Sequence, residues 1–397
     1  MTHWTTKLIH SDAEYAEGFE SLVTPVFRGS TTVFPRAADV KDDWRHEAGY
    51  SYGLFGTPTT RELASRIAEL EKGERTFLTP GGQAAIALIY FAFTSAEDHV
   101  LAPDSAYGPN RALADHVLRR FGVDVEYYPP LEGFELEARM RPNTRLIWCE
   151  SPGSITMEVQ DVPAIAEVAH RHGALVALDN TYAAGIYFDA FAHSVDVTMQ
   201  AITKYIGGHS DLILGSVTVR DMALYEKLGR VHGLLGLGVS PDDCSLALRG
   251  MQTLAVRLSA LEISALEVAR WLAVHPAIAT VLHPALPSCP GHPNWTRDFT
   301  GSASLFSIVF VEGTQRDTIL GFIDALALFK VGFSWGGVTS LAVPGFDLKR
   351  SYETGYGDRL VRLNIGLENV SDLISDLDQA LSGAGLGSPR QGVEHAS

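Results

Sequence analysis

Between residues 97 and 220 short apolar runs alternate with helical stretches, and this alternation limits the fold more than any other feature of the chain. The runs are His99–Ala102, Leu146–Cys149, Ala174–Leu178, Val195–Met199 and Leu212–Val219, with Val162–His172 reading as an intervening helix. Runs this short suit strands buried on both faces. Strand, helix, strand in repetition predicts a mainly parallel sheet covered on both sides, because a parallel crossover is long enough to hold a helix. Ligands of such sheets bind beyond the carboxyl ends of the strands, so the residues just after each run are the first to inspect.

The flanking segments predict a two-part chain, as expected for 397 residues, a length beyond the usual reach of one hydrophobic core. Residues 1–60 mix Gly, Pro and aromatics without a period and read as an arm that crosses to a partner subunit. From Arg61 a helical face of Leu63, Ala64, Ile67, Ala68 and Leu70, closed by Gly73, opens a main domain over 61–245. A long helix over Ser245–Ala273 leads into a smaller α+β domain, 246–383, with strands Leu305–Val311 and Leu360–Ile365 and helices Arg316–Phe329 and Val370–Leu381. The Gly- and Ser-rich tail, 384–397, reads as disordered.

Charge and composition narrow the partners. A net charge of −16 without a Lys/Arg cluster disfavours nucleic acid and anionic membranes. The longest apolar run, Ala84 to Phe93, is too short to span a bilayer, and nothing marks the chain for export. Cys149, Cys244 and Cys289 form no CxxC pair, which fits a reduced cytoplasm. His170 and His172 stand two apart and share no helix face, so no metal site is expected.

At the predicted strand ends, Leu178-Asp179-Asn180-Thr181 closes one run, and Thr203-Lys204-Tyr205-Ile206-Gly207-Gly208-His209 follows the next. An acid and a lysine at neighbouring strand ends are what pyridoxal 5′-phosphate (PLP) requires. The lysine forms a Schiff base, and the carboxylate keeps the pyridine nitrogen protonated so that the ring accepts electrons. The plain alternative is a surface lysine and a helix-capping aspartate. Pro80-Gly81-Gly82-Gln83 favours the first reading, since it precedes the apolar helix Ala84–Phe93 and offers free N–H groups to a phosphate. Tyr107 either lays its ring on the cofactor or packs, and Arg362 either grips a substrate carboxylate or makes a structural ion pair.

These residues resemble the Cys/Met-metabolism PLP enzymes, the cystathionine lyases and synthases, over roughly residues 5 to 383. The likeness rests on Asp179-Asn180-Thr181, on Thr203-Lys204-Tyr205 through Gly208-His209-Ser210-Asp211, on Leu248-Arg249-Gly250, and on Arg362-Leu363-Asn364-Ile365-Gly366-Leu367-Glu368. It implies the PLP-dependent transferase fold type I, aspartate-aminotransferase-like, α/β with a mainly parallel central sheet and a smaller α+β C-terminal domain. Glu150 through Val159, with Ser154 where γ-acting relatives place Asn, and Ser334-Trp335-Gly336-Gly337 look like the cystathionine β-lyase branch. The activity implied is β-elimination of a carbon–sulfur bond from a cysteine S-conjugate, giving thiol, pyruvate and ammonia. Lys204 is then the general base, with Tyr107 and Tyr52 as further catalytic candidates. Lys204, Asp179, Gly82, Gln83, Tyr107, Thr203 and Tyr52 would hold the cofactor, and Arg362, Ser340, Ser154, Thr339 and Ser245 the amino-acid substrate. Tyr52 reaches a neighbour's cofactor only in a homodimer, and such dimers usually pair into tetramers.

Four departures from the family pattern reshape the expected pocket. Leu54 stands where the family has an Arg that crosses to the partner's cofactor phosphate, and Ala201 stands where many relatives carry Ser. Ser245 replaces a bulky aromatic, and Val338-Thr339 replaces an aromatic and a Glu. The substrate expected is therefore a bulkier cysteine S-conjugate, as in secondary-metabolism relatives of lincosamide antibiotic assembly. Decarboxylation-coupled deamination of such a conjugate to an aldehyde, γ-replacement or elimination, and a PLP-binding regulator without turnover are the alternatives.

Overall fold

The computed structural model describes residues 3–9, 21–41, 43–45 and 48–387. Seven strands form the large sheet: β1 (Arg75–Thr79), β2 (His99–Pro103), β3 (Asp124–Tyr128), β4 (Thr144–Glu150), β5 (Leu175–Asp179), β6 (Val197–Gln200) and β7 (Gly215–Val219). Their order is β1-β7-β6-β5-β4-β2-β3. The pairs β6·β5, β5·β4, β4·β2 and β2·β3 are parallel, as the alternation predicts. The run Leu212–Val219 gives β7, the one strand that points the other way, antiparallel to both β1 and β6. Because β1 and β6 both oppose β7, β1 ends at the same sheet edge as the parallel strands.

Side chains along β4 show why the runs are apolar throughout. Leu146 and Trp148 enter the core under the Gly82–Phe93 and Met222–Leu235 helices, while Ile147 and Cys149 enter the core under the Val162–Arg171 helix. Period-2 alternation across a sheet covered on both faces makes every position apolar.

The smaller sheet, β10-β11-β12-β9-β8, comprises β8 (Ile278–Leu282), β9 (Leu305–Phe310), β10 (Lys330–Val331), β11 (Leu341–Pro344) and β12 (Leu360–Asn364). Only β10·β11 is parallel. Its own core joins Phe306, Ile308, Phe310, Val361 and Leu363 to the Val370–Gly383 helix.

Several expectations change in detail. The helix read from Arg61 begins at Pro58, with Thr57 as its N-cap in a capping box that Thr60 completes. Its left-handed terminator is Lys72, at φ 58°, and not Gly73. Gly73 is required for space, since a Cβ there would lie 2.3 Å from Thr218 Cγ2. The single helix expected over Ser245–Ala273 is two helices, Pro241–Gln252 and Leu254–Ala273, which meet at Thr253. The Arg316 helix ends at Asp324. Residues 384–386 fold onto the last helix through Ala384 N–H to Ala380 O and Leu386 N–H to Leu381 O, at 3.0 and 2.9 Å, so they are no free tail. The remainder of the expected tail, from 388, lies outside the described residues.

Candidate active site

The carboxyl edge of the large sheet is where the candidate residues meet. Asp179 is the last residue of β5, Glu150 the last of β4, and Lys204 sits four residues beyond the end of β6. After β1 the chain turns at Gly81 into the Gly82–Phe93 helix. There Ala84 and Ala85 donate to Gly81 O, and the N–H groups of Gly82 and Gln83 open the first turn with no helical carbonyl to take them. A cavity of about 270 Å³ is lined by Gly82, Gln83, Tyr107, Glu150, Ser154, Asp179, Thr203, Lys204 and Trp335, among others.

Lys204 is held by contacts far from it in sequence. The turn Thr203–Gly208 carries it, closed by Gly208 N–H to Lys204 O at 2.7 Å with Gly208 at φ +72°. Its Nζ donates to Ser334 Oγ at 2.6 Å and lies 5.2 Å from the centre of the Trp335 ring. Burial, helped by the Arg362 charge and opposed by Asp179, pulls its pKa from 10.5 down to about 8. Ser334 sits at φ 86°, a strained conformation for serine, and its carbonyl accepts from Arg362 Nη2 at 3.4 Å. One residue thus ties both cations of the site.

Packing behind the lysine explains the Leu248-Arg249-Gly250 motif. A Cβ on Gly250 would lie 2.2 Å from Ile206 O, so only glycine lets the Pro241–Gln252 helix approach the lysine turn. Arg257 joins the turn to that helix, donating to Tyr205 O of the first and Gly250 O of the second at 2.7 and 2.8 Å. Burial lowers the Arg257 pKa to about 10.

The acids sit opposite the lysine. Asp179 Oδ1 accepts the Thr181 N–H at 3.0 Å, and Glu150 Oε2 accepts the Tyr107 N–H at 2.7 Å. Burial raises both carboxyl pKa values, and Asp179 raises that of Glu150 further. Tyr107 is raised as well, first by burial and then by these two acids, with Arg362 opposing. Arg362, almost wholly buried on β12, lies beside this cluster, its own pKa lowered by burial.

The structure brings Lys204, Asp179, Gly82, Gln83, Tyr107, Thr203 and Ser154 into one cavity. The Gln83 side chain itself is spent on Pro109 O at 3.0 Å, and the Thr203 hydroxyl clasps Leu214 O at 3.1 Å. Tyr52, half exposed, Ser245 and Thr339 do not line the cavity. Ser340 does not either, contrary to expectation. Its hydroxyl donates to Glu368 Oε2 and accepts the Gly366 N–H, both at 2.8 Å, so it braces the loop after β12. Leu54 packs in a different pocket with Trp44, Phe55, Phe77 and Val239. Sequence reading did not single out Glu150 and Ser334 as site residues. Glu150 carried a usable signal, since it directly follows the apolar run Leu146–Cys149, whereas the Ser334 contact spans 130 residues.

PLP fits these residues. A primary amine shares the cavity with a carboxylate, and the phosphate would meet the first turn of the Gly82–Phe93 helix. Gly82 itself faces the cavity wall, where a Cβ would stand 2.9 Å from Ala201 Cβ. Over residues 5–382 the sequence matches the family described as Cys/Met metabolism PLP-dependent enzyme. The chain belongs to that family. A putative cystathionine beta-lyase of Rhizobium johnstonii is 42% identical over 383 residues, covering 96% of each chain. The cystathionine beta-lyase MetC of Escherichia coli is 38% identical, covering 94% of this chain and 96% of that one. Among solved structures, metB from Corynebacterium glutamicum superposes with a TM-score of 0.89 at 28% identity, over 96% of this chain and 98% of the other. The chain is thus a PLP-dependent enzyme of fold type I. No helix among the described residues is long and apolar enough to cross a membrane, and no group of His, Cys, Asp and Glu among them could hold a metal ion.

Proposed function

We propose that the chain is a carbon–sulfur β-lyase that cleaves a cysteine S-conjugate into a thiol, pyruvate and ammonia. The observation that carries this reading is the Lys204 amine in one cavity with Asp179, with buried Arg362 bonded to the same Ser334 that holds the lysine. The relatives named cystathionine beta-lyase support the carbon–sulfur bond as the one broken.

PLP, when bound, supplies an electron sink that makes the substrate Cα–H acidic. Arg362 binds the substrate carboxylate and fixes the direction of the Cα bonds. Lys204, with its pKa near 8, takes the Cα proton at Nζ and returns a proton to the departing sulfur. Ser334 Oγ, which accepts from that Nζ at 2.6 Å, orients it for the transfer. Asp179, in the same cavity, would hold the cofactor's ring nitrogen and favour its protonated form.

The sequence pattern supports a substrate bulkier than cystathionine, since Val338 and Thr339 stand where the family has an aromatic and a Glu, although both are solvent-exposed and lie outside the cavity lining. We further infer a homo-oligomer in which Tyr52 and the preceding arm, with exposed Leu22, Val33 and Val40, meet a partner subunit. Product analysis with a panel of small and bulky cysteine S-conjugates tests the reaction. Free thiol with pyruvate is expected, and carbon dioxide without thiol would establish decarboxylation in its place. Lys204→Ala protein should form no borohydride-reducible cofactor adduct.

A further inference from the structure

Glu150 is the one carboxyl group of the cavity that the reaction above does not use, and its surroundings are unusual. It ends β4 directly beside Asp179, its Cα partner at the end of β5, so two acid side chains leave neighbouring strands, about 4.8 Å apart, toward the same cavity. Like charges so close in a buried site do not both ionise.

The surroundings decide which of the two keeps the proton. Asp179 faces the Lys204 ammonium and accepts a Thr181 N–H, with the Thr181 hydroxyl also stabilising its charge. Glu150 faces Asp179 on one side and Glu158 on another, with the Tyr107 N–H and the Arg350 charge in its favour. Arg350 is already engaged: it donates to Thr156 Oγ1, whose hydroxyl donates to Glu158 Oε2 at 2.5 Å. The remaining negative neighbours leave Glu150 the poorer place for a charge.

We propose that Glu150 is a positioning residue of the cofactor pocket: it stays a neutral carboxylic acid, anchors the Tyr107 backbone, and leaves Asp179 as the sole anion at that end. The anchor has a purpose in the chain's own geometry. Tyr107 begins the short Gly108–Leu113 helix and lies 41% exposed at the cavity mouth, and the 2.7 Å bond to Glu150 pins its N–H. Neutrality matters equally, because a second anion beside Asp179 would pull the cofactor's ring proton and that of Lys204 out of range. The inference rests on the PLP site and is independent of which conjugate is cleaved.

Two variants of the holoenzyme and its cofactor-free form test it. Glu150→Gln keeps size, neutrality and an accepting oxygen, so the pH midpoint of the bound-cofactor absorption band should stay within about 0.3 units of wild type. Removing a true anion one strand away would lower that midpoint by about one unit or more, and this result would overturn neutrality. Glu150→Ala removes the acceptor, so hydrogen exchange of the Tyr107 amide in the cofactor-free protein should quicken at least about tenfold, roughly the worth of one buried hydrogen bond. Unchanged exchange would overturn the anchor. Should Glu150→Ala fail to fold, the infrared spectrum of wild type still decides the protonation state. A protonated-carboxyl C=O band near neutral pH that disappears in Glu150→Gln supports it, and absence of the band from wild type refutes it.

Discussion

Lys204→Met in the cofactor-free protein isolates what the site costs the fold. Without PLP, Lys204 is a partly buried amine with Ser334 Oγ as its hydrogen-bond partner and Arg362 as a repelling neighbour. A fall in pKa from 10.5 to about 8 corresponds, at about 1.4 kcal/mol per unit, to an upper bound of roughly 3.5 kcal/mol against the charged form. Residual exposure reduces that figure, and loss of the Ser334 bond returns about 1 kcal/mol. Methionine fills the same volume without the charge. The expected outcome is that cofactor-free Lys204→Met is more stable than cofactor-free wild type by about 1–2 kcal/mol near pH 7, read from urea midpoints.

The pH dependence carries the decisive sign. Between about pH 8 and 10.5 the folded wild type has released the Lys204 proton while its unfolded chain still holds it. Unfolding therefore takes up a proton in that window, and wild-type stability rises with pH relative to the variant. Below about pH 8 both states are protonated and the full penalty persists. The advantage of Lys204→Met should thus be greatest near neutrality and shrink or reverse toward pH 10.5. A difference between the two proteins that stays flat across the window would refute the claim that burial and Arg362 hold the lysine down.

Other substitutions address the rest of the site. Arg362→Lys replaces a planar two-pronged donor with a point charge, and kcat/KM for a cysteine conjugate is expected to fall about 100-fold, mostly through KM, in steady-state assays. Gly82→Val should weaken PLP binding at least about tenfold by equilibrium dialysis with the fold intact by circular dichroism, because even a Cβ would press on Ala201 at the phosphate end. Gly208→Ala combines a left-handed φ of +72° with a Cβ 2.1 Å from Arg257 Nη1, and should destabilise the protein by about 3 kcal/mol or more in thermal unfolding.

Much of the site was legible locally. The apolar runs marked the strands, the strands marked the edge, and Asp179, Gly82 and Lys204 stand within a few residues of their ends, so spacing made them candidates and the family resemblance joined them into one site. The direction of β7 was not legible, because a run buried on both faces looks the same whichever way it points. Nor was the fate of Ser340, since nothing in Val338-Thr339-Ser340 shows that Glu368 will take its hydroxyl.

By itself, then, the sequence determined the mainly parallel sheet, the edge at which the cavity lies, and the lysine and aspartate that line it. Those features follow from periodicity and from residues adjacent along the chain. Tertiary structure alone decided the partners that tune them: Ser334 on Lys204 across 130 residues, Glu150 on Tyr107 across 43, and Arg362 beside both. Such contacts depend on how two sheets and their loops close on one another. A pattern of period two or 3.6 fixes which face a residue takes but leaves open which distant group will meet it.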